Sequence, residues 1–218
     1  MHTAWFVTGT DTEIGKTHAC CALLHALRRK SISAIGMKPI AAGTDDRGRN
    51  DDVDRLRASS SALAPPELVN PYLFAPAIAP HVAAQEAGVR IDLDTIRSAY
   101  RRLTPLADAV VVEGVGGFCV PLDDHCDTAD LAVVLGLPVI LVIGIKLGCL
   151  NHALLTAEAI AARGLKLSGW IANMIDPTMS RPDASIDALR ARLGAPLLGI
   201  LPWGESPQQA SLRLVLPL

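Results

Sequence analysis

The chain has 218 residues, 50% of them apolar and 19% charged, which supports one substantial core and excludes the low-hydrophobicity, high-charge profile of a disordered chain. A formal charge of -2 and an isoelectric point near 6.3 give no broad basic footprint for nucleic acid or an anionic membrane, which favours small-molecule chemistry. Five cysteines, an odd number without a C-x-x-C pair, suit reduced thiols better than a disulfide frame.

Short β-rich apolar runs alternate with longer helical patterns, the signature of repeated βαβ units and a mostly parallel central sheet with helices on both faces. Strands are expected at 4–8, 34–38, 109–113, 138–143, 167–173 and 196–201. Helices are expected to begin near Gly15, Asp51, Asp92, Asp127, Cys149 and Arg181. Asp92 reads as an N-cap, with Arg101 and Arg102 near the far end of its helix, where cations suit the dipole. The proline-rich stretch 59–80 lacks periodicity and reads as an ordered loop that wraps the body or shapes a pocket. The apolar tail 212–218 is expected to pack back on the body, and the whole of 1–218 reads as one domain.

The first strand, Ala4-Trp5-Phe6-Val7, follows the start of the chain without the basic region and long apolar stretch of a secretory signal. The expectation is a cytoplasmic protein. The longest apolar run, 131–145, contains Gly136 and Pro138 and falls short of the roughly 18 residues that span a bilayer. It reads as a helix end followed by a buried strand. Cys119, His125 and Cys126 match no common zinc spacing and are taken as incidental.

The first strand runs into Gly9-Thr10-Asp11-Thr12-Glu13-Ile14-Gly15-Lys16-Thr17 and then a helical pattern. That order is what a phosphate cradle requires. Amides of the loop and the helix start point at phosphate oxygens, Lys16 reaches the β and γ phosphates, and the Thr17 hydroxyl ligates magnesium. The glycine interval is one residue longer than in G-x-x-x-x-G-K-[ST], an altered P-loop, and the fold class is therefore α/β of the P-loop NTPase kind.

A second element, Val110-Val111-Val112-Glu113-Gly114-Val115-Gly116-Gly117, is a buried strand that ends in a carboxylate. In a parallel sheet this places Glu113 at the carboxyl edge, where ligands bind, as a second magnesium contact. The third, Gly36-Met37-Lys38-Pro39-Ile40-Ala41-Ala42-Gly43, brings Lys38 to the same edge. Two ammonium groups around one phosphate favour its transfer.

Together with Asn70-Pro71-Tyr72, Lys146-Leu147-Gly148-Cys149-Leu150-Asn151-His152 and Gly169-Trp170-Ile171-Ala172-Asn173, these motifs resemble the dethiobiotin synthase family, in order from residue 6 to about 203. The resemblance implies a Mg2+- and ATP-dependent cyclo-ligase that makes dethiobiotin from 7,8-diaminononanoate and CO2 in biotin synthesis. Thr17, Asp52 and Glu113 are then the metal ligands, and Lys38 and Lys16 the catalytic lysines. Gly9, Thr12, Glu13, Ile14, Gly15, His18, Gly114, Val115 and Gly116 join the nucleotide site, with Asn173 and Met174 at adenine and Pro202, Trp203, Gly204 and Gln208 flanking it. Thr12, Lys38 and Ala42 serve the reacting end of the substrate. Gly148, Cys149, Leu150 and Asn151 open a helix at a homodimer interface and receive the substrate carboxylate from the neighbouring subunit. Ala42 stands where relatives often carry a hydroxyl, and Gln208 near where they tend to offer an acid. Nucleotide-switch ATPases of the partition or septum-site type share the fold family, but usually carry an additional lysine early in the loop, where this chain has Thr10, Asp11 and Thr12.

Overall fold

A computed structural model of the chain describes residues 3–218. In chain order the elements are β1 (Thr3–Gly9), α1 (Lys16–Arg29), β2 (Ala34–Met37), β3 (Ile40–Ala42), α2 (Asp51–Ser59), α3 (Pro66–Val69), β4 (Tyr72–Phe74), α4 (Pro80–Glu86) and α5 (Leu93–Leu103). There follow β5 (Ala109–Glu113), α6 (Thr128–Leu135), β6 (Val139–Ile145), α7 (Cys149–Ala162), β7 (Leu167–Met174), α8 (Pro182–Arg192), β8 (Leu197–Leu201) and α9 (Pro207–Ala210). Six strands form one parallel sheet in the order β2-β5-β1-β6-β7-β8, and β3 and β4 form a separate parallel pair.

The central strands β1, β5 and β6 are near-continuous apolar runs because both of their faces are covered. Successive side chains alternate between two layers. Trp5, Val7, Val111 and Val142 pack with α1 and with Leu56 of α2, while Phe6, Val110 and Val112 pack with α5 and α6. Leu141, Ile143 and Trp170 continue the second layer against Ala153 of α7 and Ile186 and Leu189 of α8. Truncation of Trp5 or Phe6, neighbours on β1 that serve opposite layers, would cost about 3–5 kcal/mol.

All six expected strands of the main sheet are present, with ends shifted by a residue or two. One shift has a local cause. β2 stops at Met37 rather than Lys38, because Pro39 has no N–H for a ladder and the Lys38 N–H turns to the Val69 carbonyl at 2.9 Å. Asp92 caps α5 as expected, its carboxylate accepting from the Asp94 N–H at 3.1 Å. The 131–145 run divides into the end of α6 and all of β6, with Gly136 in the left-handed region between them. The 59–80 stretch differs from a plain loop: α3 and β4 lie inside it and α4 begins at its end. Prolines at the first turns of α3 and α4 start these short helices, a use of proline that a reading for breakers passes over. The C-terminal tail packs back on β8, where the Val215 N–H donates to the Leu198 carbonyl at 2.8 Å and Leu216 is buried.

The parallel topology brings the segments after β1, β2, β5, β6, β7 and β8 to one edge of the sheet, and that edge carries the sequence motifs.

Candidate active site

The loop 10–15 turns sharply because Glu13 and Gly15 both take positive φ, 59° and 83°. For Gly15 the requirement is also steric. A Cβ there would lie 2.1 Å from Asn173 Nδ2, and that same amide donates to the Ile14 carbonyl at 2.8 Å. Asn173 therefore ties β7 to the P-loop, a contact that only a glycine at position 15 permits. At the front of the loop the Lys16 ammonium donates to the Asp11 carbonyl at 2.7 Å. Asp11 in turn faces Lys146, after β6, at 3.4 Å.

Below the loop the charged groups converge. The Thr17 hydroxyl lies 2.7 Å from Asp52 Oδ1 and 2.8 Å from Glu113 Oε1. It has one proton and can donate to only one of them. Lys38 Nζ lies 3.2 Å from Asp52 Oδ2 and 2.5 Å from Glu113 Oε1. Glu113 and Lys38 are both buried, and Glu113 Oε2 has no hydrogen-bond partner at all. A hydroxyl and two carboxylates that converge in this way, with an orphaned carboxylate oxygen, form an oxygen donor set that fits a hard divalent cation. The ammonium of Lys38 between the two acids shows that the cradle holds positive charge.

Each of these side chains is placed by its element. Thr17 is the second residue of α1, and Glu113 ends β5 in register with Val7 of β1. Asp52 lies in the first turn of α2, whose N-cap, Asn50, accepts from the Val53 N–H and donates to the Gly43 carbonyl at 2.7 Å. Lys38 is steadied by Asn70, whose amide donates to the carbonyls of Lys38 at 2.6 Å and Tyr72 at 3.0 Å. That is the part played by the Asn70-Pro71-Tyr72 motif, and it links β2 to the β3–β4 pair.

The two lysines are tuned in opposite senses. Burial, reinforced by the charge of Lys38, pushes Lys16 down to about 8. Burial also works against the Lys38 ammonium, but the charges and hydrogen bonds of Glu113 and Asp52 outweigh it and raise Lys38 above the ordinary lysine value. Asp52 follows the same pattern: burial opposes its charge, and Lys38 and Thr17 together hold it below the usual carboxylate range.

These groups line a cleft of about 720 Å³ that also takes in Thr12, Glu13, Gly15, His18, Ala42, Val115 and Gly116 from the expected set. A second recess of about 420 Å³ adjoins it at Glu13, Gly15 and His18, and is walled by Asn173, Met174, Pro202, Trp203 and Gly204. Gly9, Ile14 and Gly114 lie beneath the loop: a Cβ on Gly9 would meet Ile14 at 2.8 Å, and the Gly114 N–H donates to the Val7 carbonyl at 2.9 Å. Gln208, on α9, is not among the residues that wall the recess, whereas Glu205 is, with its carboxylate held by Arg213 at 3.0 Å. Residues 148–151 line neither cavity. Gly148 caps α7 with φ 93°, and the amides of Leu150 and Asn151 precede the first intrahelical bond, from the His152 N–H to the Gly148 carbonyl.

Sequence reasoning passed over Asn50, Arg55 and Glu205, whereas the 59–80 stretch, read as wrapping the body or shaping a pocket, does wall the cleft at 77–80. Asn50 carried a readable signal as an N-cap before the acidic first turn of α2. Which residues of the 59–80 stretch form the wall was not readable, since their place depends on the long-range pairing of β3 with β4.

Among known proteins, a family model described as an AAA domain matches residues 3–211. The ATP-dependent dethiobiotin synthetase BioD of Aromatoleum aromaticum is 58% identical over 98% of this chain and 97% of its own length. The protein of the same name from a Janthinobacterium species is 54% identical over 94% and 90%. Solved structures at lower identity share the fold. A ParA family ATPase from Chlorobium tepidum aligns with a TM-score of 0.59 at 16% identity over 97% of this chain and 90% of its own. The MinC:MinD cell division complex of Aquifex aeolicus aligns at 0.56 and 14% over 95% and 86%.

Proposed function

Since the chain belongs to the ATP-dependent dethiobiotin synthetase family, we propose that it closes the ureido ring of dethiobiotin from 7,8-diaminononanoate and CO2, with ATP as co-substrate and Mg2+ as cofactor, in biotin synthesis. The observation that carries this reading is the convergence of Lys16, Thr17, Lys38, Asp52 and Glu113 in one cleft behind the P-loop.

One amine of the substrate adds to CO2 and loses a proton, which gives a carbamate. A carbamate oxygen then attacks the γ-phosphorus of ATP, ADP departs, and a carbamic-phosphoric anhydride is left. The second amine attacks the carbonyl carbon, the C–O bond to phosphate breaks, and the ring closes with loss of a proton. Thr17, Asp52 and Glu113 would hold the Mg2+, whose chemistry when bound is to neutralise and polarise the phosphoryl oxygens. Lys16 and Lys38 take the charge that grows on the transferring group. No side-chain nucleophile is needed, because the substrate supplies both amines and closure is effectively intramolecular.

The family resemblance supports a homodimer in which Gly148, Cys149, Leu150 and Asn151 receive the substrate carboxylate from the partner. Leading amides of a helix suit a carboxylate, and Leu150 and Leu155 of α7, with Leu147 just before it, expose apolar surface. Ala42 offers no hydroxyl, so the carbamate relies there on Thr12, backbone or water. The cleft next to Asn173 and Trp203 takes the base.

The test is to supply ATP, Mg2+, bicarbonate and 7,8-diaminononanoate and to follow products by mass. Dethiobiotin and ADP in equal amounts are expected. ADP release that ignores the diamine would overturn the reading.

A further inference from the structure

Arg55 stands three residues beyond Asp52 on α2, so both side chains leave the same face of the helix, and both line the cleft with Thr17 and His18 of α1. The reaction as described does not use it. Its nearest acid, Asp51, lies 3.6 Å away on the same helix, and the pair is open to solvent, with 41% of the Arg55 side chain and 85% of the Asp51 side chain exposed. Such a pair is too weak to hold the guanidinium in place. The charge reaches across the groove instead. His18 is kept below its ordinary value first by burial and then by Arg55.

The wall that α2 gives the cleft needs a cation. Asp51, Asp52 and Asp54 crowd its first turn, and Asn50, Asp52 and Arg55 are the α2 residues that line the cavity. Without Arg55 this wall would offer a polyanion the Asp52 carboxylate and the neutral Asn50 amide, and no positive charge. We infer that Arg55 is a further nucleotide-binding residue, its guanidinium closing on the phosphate chain of ATP from the α2 wall beside His18. A planar fork of N–H donors matches phosphate oxygens in pairs, and its release from a weak surface pair costs little. The inference rests on the ATP site proposed above.

Three variants test it: Arg55→Ala, Arg55→Lys and, as a control on the site itself, Lys16→Gln. ATP binding is measured by calorimetry with Mg2+, alongside steady-state kinetics and thermal melting. Arg55→Ala is expected to weaken ATP binding and raise its KM about tenfold, with kcat and the KM for diamine within about twofold of the parent and an unchanged melting temperature. Arg55→Lys should recover part of the loss, since it restores charge without the fork. Unchanged ATP affinity in Arg55→Ala, while Lys16→Gln loses ATP, would overturn the role of Arg55 and leave the site standing. Normal ATP binding in both would overturn the site as well. A lowered melting temperature with kcat and both KM values affected alike would assign Arg55 a purely structural role and contradict the inference.

Discussion

Lys38 sits between two carboxylates in a buried position, and its burial is tolerated only because both partners are present. Its removal leaves Glu113 and Asp52 facing each other without a counter-ion until a metal arrives. Lys38→Gln and Lys16→Gln are each expected to abolish turnover, by about a thousandfold or more, in a protein that still folds. Near-normal turnover in Lys38→Gln, followed as ADP release with diamine, would remove that lysine from the mechanism. Lys16 also makes a stability prediction whose sign follows from its depressed value. The folded state binds this proton less tightly than the unfolded chain, so stability rises with pH between about 8 and 10.5 as the buried charge is relieved. Below about 8 the cost is fully present, at most roughly 3 kcal/mol. Urea denaturation should therefore find nucleotide-free Lys16→Met more stable than the parent at pH 7, with the advantage shrinking above pH 8. An advantage that grows with pH would contradict the burial argument.

At the scale of elements, the P-loop, β5 and β2 announce themselves because each carries a chemical group at the end of an apolar run. The local pattern sets both the strand and the residue that leaves it. The β3–β4 pair and the short helices α3 and α4 were not legible in the same way, since three-residue strands have no periodicity to read and form only when distant segments meet. Asp52 was legible as a candidate by resemblance, but Arg55, which lines the same cleft, was not: only the fold shows which face of α2 meets α1. The contact between Gly15 and Asn173 yields a prediction at this scale. Gly15→Ala combines a positive φ with a clash at 2.1 Å and must dislodge the Asn173 amide from Ile14. ATP binding should be lost beyond detection by calorimetry. Retained affinity would show that the loop adapts and that the tie to β7 is dispensable.

For the whole molecule, one sheet edge gathers groups from five strand ends, whereas residues 148–151 open α7 outside both cavities. A site completed by a second copy accounts for that separation and for the exposed Leu147 and Leu150. Leu147→Asp, 92% exposed in the single chain, should shift sedimentation towards monomer and raise the KM for diamine while ATP affinity holds. A monomeric parent protein with full activity would contradict the shared site. Among the described residues no helix is long and apolar enough to cross a membrane, and the chemistry needs none. In the proposed reaction ATP phosphorylates a carbamate. The most direct measurement is a short reaction with CO2 labelled with oxygen-18 and mass analysis of both products. One labelled oxygen is expected in the released phosphate and one in the ureido carbonyl, because the C–O bond of the anhydride breaks on ring closure. Phosphate without label would contradict the account.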